Sequence, residues 1–127
     1  MDRSLGKELA PGLVVHLDPE ELLVQGATHT VDEAHRVQGQ HFFLCVEVQD
    51  DTCRLVPLFT NDNPGRLPLS TEGRSGHEKW ANGTFHYYPN QVWSATRGSV
   101  VAAAAKAHDK SRSGFRNALS AEFLPEV

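Results

Sequence analysis

For most of its length the chain alternates short apolar blocks with polar breaks, and then its texture changes. After the turn signal Pro11-Gly12, Leu13-Val14-Val15-His16-Leu17 predicts a β-strand that Asp18-Pro19 stops. Glu20-Glu21-Leu22-Leu23 fits one helical turn before Gly26. Thr30-Val31-Asp32-Glu33 reads as a capping box, in which a hydroxyl and a carboxylate three residues on satisfy each other's amides, and predicts a short helix to about Arg36 or an ordered loop. The clearest strand is His41-Phe42-Phe43-Leu44-Cys45-Val46-Glu47-Val48, whose aromatic, aliphatic and β-branched run implies burial on both faces for most of its length. Asp50-Asp51-Thr52 turns the chain and Cys53-Arg54-Leu55-Val56-Pro57-Leu58-Phe59 returns it. Proline has no N–H for a ladder, so at Pro57 this strand should be an edge or carry a bulge.

The polar loop 60–66 follows, then Leu67-Pro68-Leu69 as an edge-like segment, then a long polar loop from Thr71 to Gly83. Thr84–Tyr88 and Gln91–Ala95 are β-rich; alternation should bury Phe85 with Tyr87 and turn His86 and Tyr88 the other way. From Ser99 the chain becomes alanine-rich and helix-favouring, with Gly114 as the stop; Val100, Ala103, Ala104 and Ala107 share one face and are small enough for close packing. Ser120–Pro125 could add a single turn. These pieces predict a mainly β protein with a C-terminal α-helix at about 99–112: one domain over 1–127, a small, strongly bent antiparallel sheet or barrel.

Composition changes little in that picture. At 127 residues and 39% hydrophobic, the chain suffices for one core. It has no apolar run of the roughly 18 residues that a membrane span needs, and residues 1–8 lack the apolar centre of a secretory signal, so a cytoplasmic protein is expected. Cys45 and Cys53 have neither metal nor redox spacing and read as buried free thiols. Charge is uneven: residues 1–64 sum to −7, residues 65–116 to +5, and the net is −4. Such asymmetry focuses an anion onto one face, or covers a helix with solvated lysine and arginine.

The order of elements, with Pro11-Gly12-Leu13-Val14-Val15, the His41–Val46 strand, the Pro57-Leu58-Phe59-Thr60 element and Gln91-Val92-Trp93 leading into the helix, resembles the MazF/PemK-like toxin family over roughly residues 10–110. The resemblance implies a small SH3-like antiparallel β-barrel and a metal-independent endoribonuclease, or an inactive relative, acting on single-stranded RNA. No cofactor is implied; an antitoxin-like protein and a homodimer are the implied partners. One departure stands out. Family enzymes usually carry an arginine immediately before the second strand, paired with a Ser or Thr after the third; here that place reads Gly39-Gln40-His41, with Arg36 the nearest arginine.

RNA cleavage to a cyclic phosphate needs a base, an acid and positive charge on the phosphorane. Histidine can serve in either proton role and arginine's planar fork matches phosphate oxygens. The candidate catalytic set is therefore Arg36, His41 and Thr60, which converge if the strands beginning at His41 and Cys53 pair. Asn61, Asn63, Arg66, Lys79, Trp80 and Arg97 are the candidate binding residues, with Trp80 the aromatic most exposed for stacking. The seven histidines lack the spacing of a zinc protease, and no Gly-rich phosphate loop or Gly-x-Ser-x-Gly elbow is present. A second reading is a non-catalytic barrel that binds a protein or nucleic acid through its loops and its basic C-terminal half, which carries Lys106, Lys110 and Arg112.

Overall fold

The structure, a computed structural model, describes residues 4–127. After a short helix α1 (Ser4–Glu8), β1 (Leu13–Leu17) leads into α2 (Pro19–Val24), the small strand β2 (Thr28–His29), and the long hairpin β3 (His41–Gln49) and β4 (Thr52–Pro57). Then come β5 (Leu67–Pro68), β6 (Arg74–Ser75), α3 (Glu78–Ala81), β7 (His86–Tyr87), β8 (Trp93–Thr96), α4 (Arg97–Lys106), β9 (Asn117–Leu119) and a 3-10 turn at Ala121–Phe123. Seven strands form one antiparallel sheet in the order β2-β8-β4-β3-β1-β9-β6, and β5 pairs with β7 in a separate ribbon. The sheet is not closed: it ends at β2 on one side and β6 on the other.

Apolar side chains leave both faces of the sheet. On one face Val15, Leu17, Phe43, Leu55 and Trp93 pack with Leu5, Leu22, Val100 and Ala103 from the helices. On the other, Val14, Leu44, Val56 and Leu119 pack with Leu58, Trp80, Phe85 and Tyr87 from the ribbon side. Phe43, Leu44 and Cys45 are accordingly fully buried, as the unbroken apolar run implies. The β3–β4 pairing places Phe43 opposite Pro57, with a bulge between Cys45 and Glu47. β8 pairs with β4 only from Thr52 to Leu55, so Pro57 lies past the end of that ladder, where its missing N–H costs nothing.

Helix boundaries follow local capping. Asp18 accepts from the Glu21 amide and Pro19 opens α2, whose first turn is acidic. α4 starts before Gly98, because the Thr96 hydroxyl accepts from the Ser99 amide at 3.1 Å. It also stops well short of 112. His108 takes a left-handed φ of 54°, and the amides of His108 and Asp109 fold back onto the carbonyls of Ala105 and Ala104, closing a Schellman-type end. The expected capping box at Thr30 does not form: that hydroxyl donates to Asn90 O at 2.5 Å and accepts from the Val92 amide at 2.9 Å, tying the segment to β8. Residues 30–36 are an ordered loop.

The largest correction concerns 71–83. This stretch contributes β6 and α3, and Trp80 is 0% exposed. Its indole N–H donates to Ala118 O at 3.1 Å, and the Arg74 guanidinium lies 4.6 Å from its ring.

Candidate functional site

The strand pairing carries the hairpin's open end to one rim. Leu58 N donates to Phe42 O at 2.8 Å and the rings of His41 and Phe59 are 5.2 Å apart, so Thr60, the next residue and exposed, stands at the His41 end. The Arg66 guanidinium covers Phe59 at 4.0 Å and lies 5.1 Å from Tyr88. Arg66 also braces the loop through backbone carbonyls: Asn61 O accepts from Arg66 Nη1 at 2.7 Å and Asn63 O from the Arg66 amide at 3.1 Å.

Arg36 does not join this rim as a free cation. It is 7% exposed, its Nη2 lies 2.8 Å from Glu20 Oε1, its Nε 2.7 Å from Glu33 Oε1, and its Nη1 donates to Val37 O. Arg97 is likewise a brace, donating to the carbonyls of Asp50, Gly6 and Leu9. Trp80, buried in the core, cannot stack on a ligand.

Lys79 lines a different feature. A groove of about 960 Å³ lies where α4 ends against β1 and where α3 begins. Phe42, His16 and Asn117 line it, with His77 and Lys79 contributed by α3 and its cap, and the segment Ala107–Arg116 supplying most of the rest. Sequence reasoning named Lys79, Lys110 and Arg112 but did not bring them together, because the parts of the groove lie far apart in the chain. They meet because β9 inserts between β1 and β6, carrying the 74–79 segment to the same place as the end of α4. The signal that was legible is Lys110-Ser111-Arg112-Ser113-Gly114-Phe115, basic residues and an aromatic on a glycine-bearing loop.

The groove's walls are pinned. Asp109 Oδ2 accepts from the His16 amide at 2.7 Å, its Oδ1 accepts from the Ser111 amide at 2.8 Å, and His16 Nδ1 lies 3.3 Å from Ala107 O. Asn117 Oδ1 accepts from the His77 amide at 2.7 Å, and His77 Nδ1 from the Lys79 amide at 3.2 Å, which caps α3. Arg116 donates to Glu8 Oε2 from Nε at 3.0 Å and from Nη2 at 2.8 Å, and these bonds hold the Glu8 carboxyl below its ordinary range. Asp109, the one carboxylate among the described residues that line the groove, is therefore committed to the fold. Lys79, Lys110 and Arg112 are exposed and form no ion pair among the described residues.

The described residues contain no group of three or more His, Cys, Asp or Glu placed to hold a metal ion. His16, His77 and His108 line the groove, His35 bonds Asp32, His29 packs tilted against Trp93 at 4.7 Å, and His16 sits edge-on to Phe42 at 5.4 Å. Cys45 and Cys53 are free and buried; a hydrogen bond between the two thiols, together with burial, pushes Cys45 well above the ordinary thiol range. Among the described residues no helix is long and apolar enough to cross a membrane.

No protein-family model matches the chain, and neither a curated protein nor a solved structure matches it. The residues alone carry the functional argument.

Proposed function

We propose that this protein is a binding module for single-stranded RNA, with the strand lying in the groove between α3 and the end of α4. One observation carries the reading: among the described residues, Lys79, Lys110 and Arg112 border the groove without ion-pair partners, while the lining carboxylate, Asp109, is used internally. Such a concentration of uncompensated positive charge in a concave site attracts a polyanion even on a molecule of net charge −4. Phosphates of a single strand would sit on those side chains with release of counterions, so affinity should fall steeply with salt. Fluorescence anisotropy with a labelled, mixed-sequence single-stranded RNA, titrated at several salt concentrations, tests this. Binding that weakens with salt and is lost on replacing all three cations by Glu supports it; no binding at low salt refutes it.

A second reading, metal-independent cleavage of RNA at the rim, is favoured by the meeting of His41 with the Thr60 end of the hairpin. On this reading Arg66, already beside Phe59, takes the phosphate role, since Arg36 is engaged. Incubating metal-free protein with an RNA pool tests it, and an intact pool ends it. The element order also supports relating this open sheet to the SH3-like barrel of MazF/PemK-like toxins, in which case a cytoplasmic setting, an antitoxin-like partner and a homodimer follow as further proposals.

A further inference from the structure

The segment after α4 holds a large apolar side chain out in solvent. Phe115 is 79% exposed, yet it is not on a loose tail. Its amide donates to Arg112 O at 2.8 Å, closing a four-residue turn in which Gly114 has the left-handed φ of 83° that such a turn requires at its third position. The turn is anchored on both sides: Asp109 holds Ser111 and the His16 amide before it, and Arg116 holds Glu8 after it. Closing the turn brings the backbone of Arg112 to that of Phe115, so a guanidinium and a phenyl ring are displayed from adjacent positions at the lip of the groove.

We infer that the Arg112–Phe115 turn is a base-stacking element, which takes one unpaired nucleobase on the Phe115 ring and a neighbouring phosphate on Arg112. The inference rests on the single-stranded RNA reading above and adds to it the group that senses strandedness. Lysine and arginine bind phosphates of any nucleic acid, whereas a free aromatic face is usable only by a base that is not already stacked in a duplex. An acidic peptide would satisfy the cations equally well, but would gain nothing specific from a flat ring beside a guanidinium. The unpaired nucleotide matches both groups at once.

The test uses the full chain with a labelled single-stranded RNA, the same RNA carrying single abasic positions, and its duplex. Phe115→Ala should lower affinity for the single strand by roughly 5- to 100-fold, the range for loss of one stacked base, with the salt dependence unchanged. Arg112→Gln should instead make the slope of log affinity against log salt shallower by about 0.7, the value for one single-strand phosphate contact. One abasic position should reproduce the Phe115→Ala loss in the native protein and cost nothing further in that variant. Phe115 lies on the surface, so the variant keeps its fold, which circular dichroism verifies. Single-strand binding insensitive to Phe115→Ala and to every abasic position, or duplex bound as tightly as single strand, overturns the inference while leaving the groove reading intact. Absence of any RNA binding overturns the groove reading itself, and capture of an acidic peptide in its place would identify the other occupant.

Discussion

Replacing Arg36 by Met keeps an unbranched apolar stem and removes the charge and donors. In the folded protein that side chain is 5% exposed and meets Glu20 and Glu33, whose own side chains are 58% and 71% exposed. Water can take over both carboxylates when the arginine goes, so each ion pair accounts for at most about 1 kcal/mol. The Val37 carbonyl is different. It accepts from Arg36 Nη1 at 2.9 Å in a buried setting, and losing that donor costs about 1–3 kcal/mol. The total is about 1–5 kcal/mol. Divided by a urea dependence of about 2 kcal/mol per molar, it lowers the unfolding midpoint by roughly 0.5–2.5 M. The damage should reach β8, because the Val37 amide donates to Gln91 Oε1, which also accepts from the Trp93 indole. Urea unfolding followed by tryptophan fluorescence measures the midpoint, and RNA anisotropy on the same samples measures function. The variant should be destabilised and keep its RNA affinity unchanged. An unchanged midpoint with lost binding or turnover would refute it and return Arg36 to the reaction.

Other outcomes follow from the same contacts. Trp80→Ala should cost about 3–5 kcal/mol, the usual loss for a fully buried large aromatic, seen as a large fall in the thermal midpoint. Gly12→Ala should cost at least about 2 kcal/mol, since φ is 101° and an added Cβ would lie 2.3 Å from Leu119 O; a fully stable variant would contradict the close approach of β1 and β9. Glu8→Gln addresses pH. The folded-state carboxyl is held low by Arg116, so its stabilisation is complete above the ordinary glutamate value near 4.3, shrinks as pH falls, and is gone below the folded-state value. Thermal unfolding of native and variant protein should therefore differ at pH 7 and converge in strong acid. A thiol reagent should label neither Cys45 nor Cys53 in the native protein and both in denaturant.

What could be read in advance was whatever short-range chemistry decides. The His41–Val48 run formed its strand because most of its residues are aromatic, aliphatic or β-branched, and Phe43, Leu44 and Cys45 are buried at its centre while Glu47 is exposed. Val100, Ala103, Ala104 and Ala107 are all buried, as their spacing required, and Phe85 and Tyr87 are buried while His86 and Tyr88 are half-exposed. The failures came where a distant group competed. Thr30 had a local partner in Glu33 but found Asn90 and Val92 instead. Trp80 sits in a polar stretch, yet the carbonyl of Ala118, 38 positions away, and the ring of Phe85 made burial favourable. Strands β6 and β9 are two and three residues long and carry no β-type signature, so they exist through pairing alone. The groove inherits that difficulty: His16, His77 and Lys110 become neighbours only after β9 has chosen its place. The rim at His41 and Thr60, by contrast, follows from a single hairpin and was legible.

Because β9 follows both β1 and β6 in the chain and yet lies between them in the sheet, a nascent chain has no means of joining those two strands until residues 117–119 have emerged from the ribosome. Until then the Trp80 indole lacks its acceptor and the His77 amide lacks Asn117. Prematurely terminated products would expose that unfilled seam along the sheet, which makes them natural prey for chaperones and proteases.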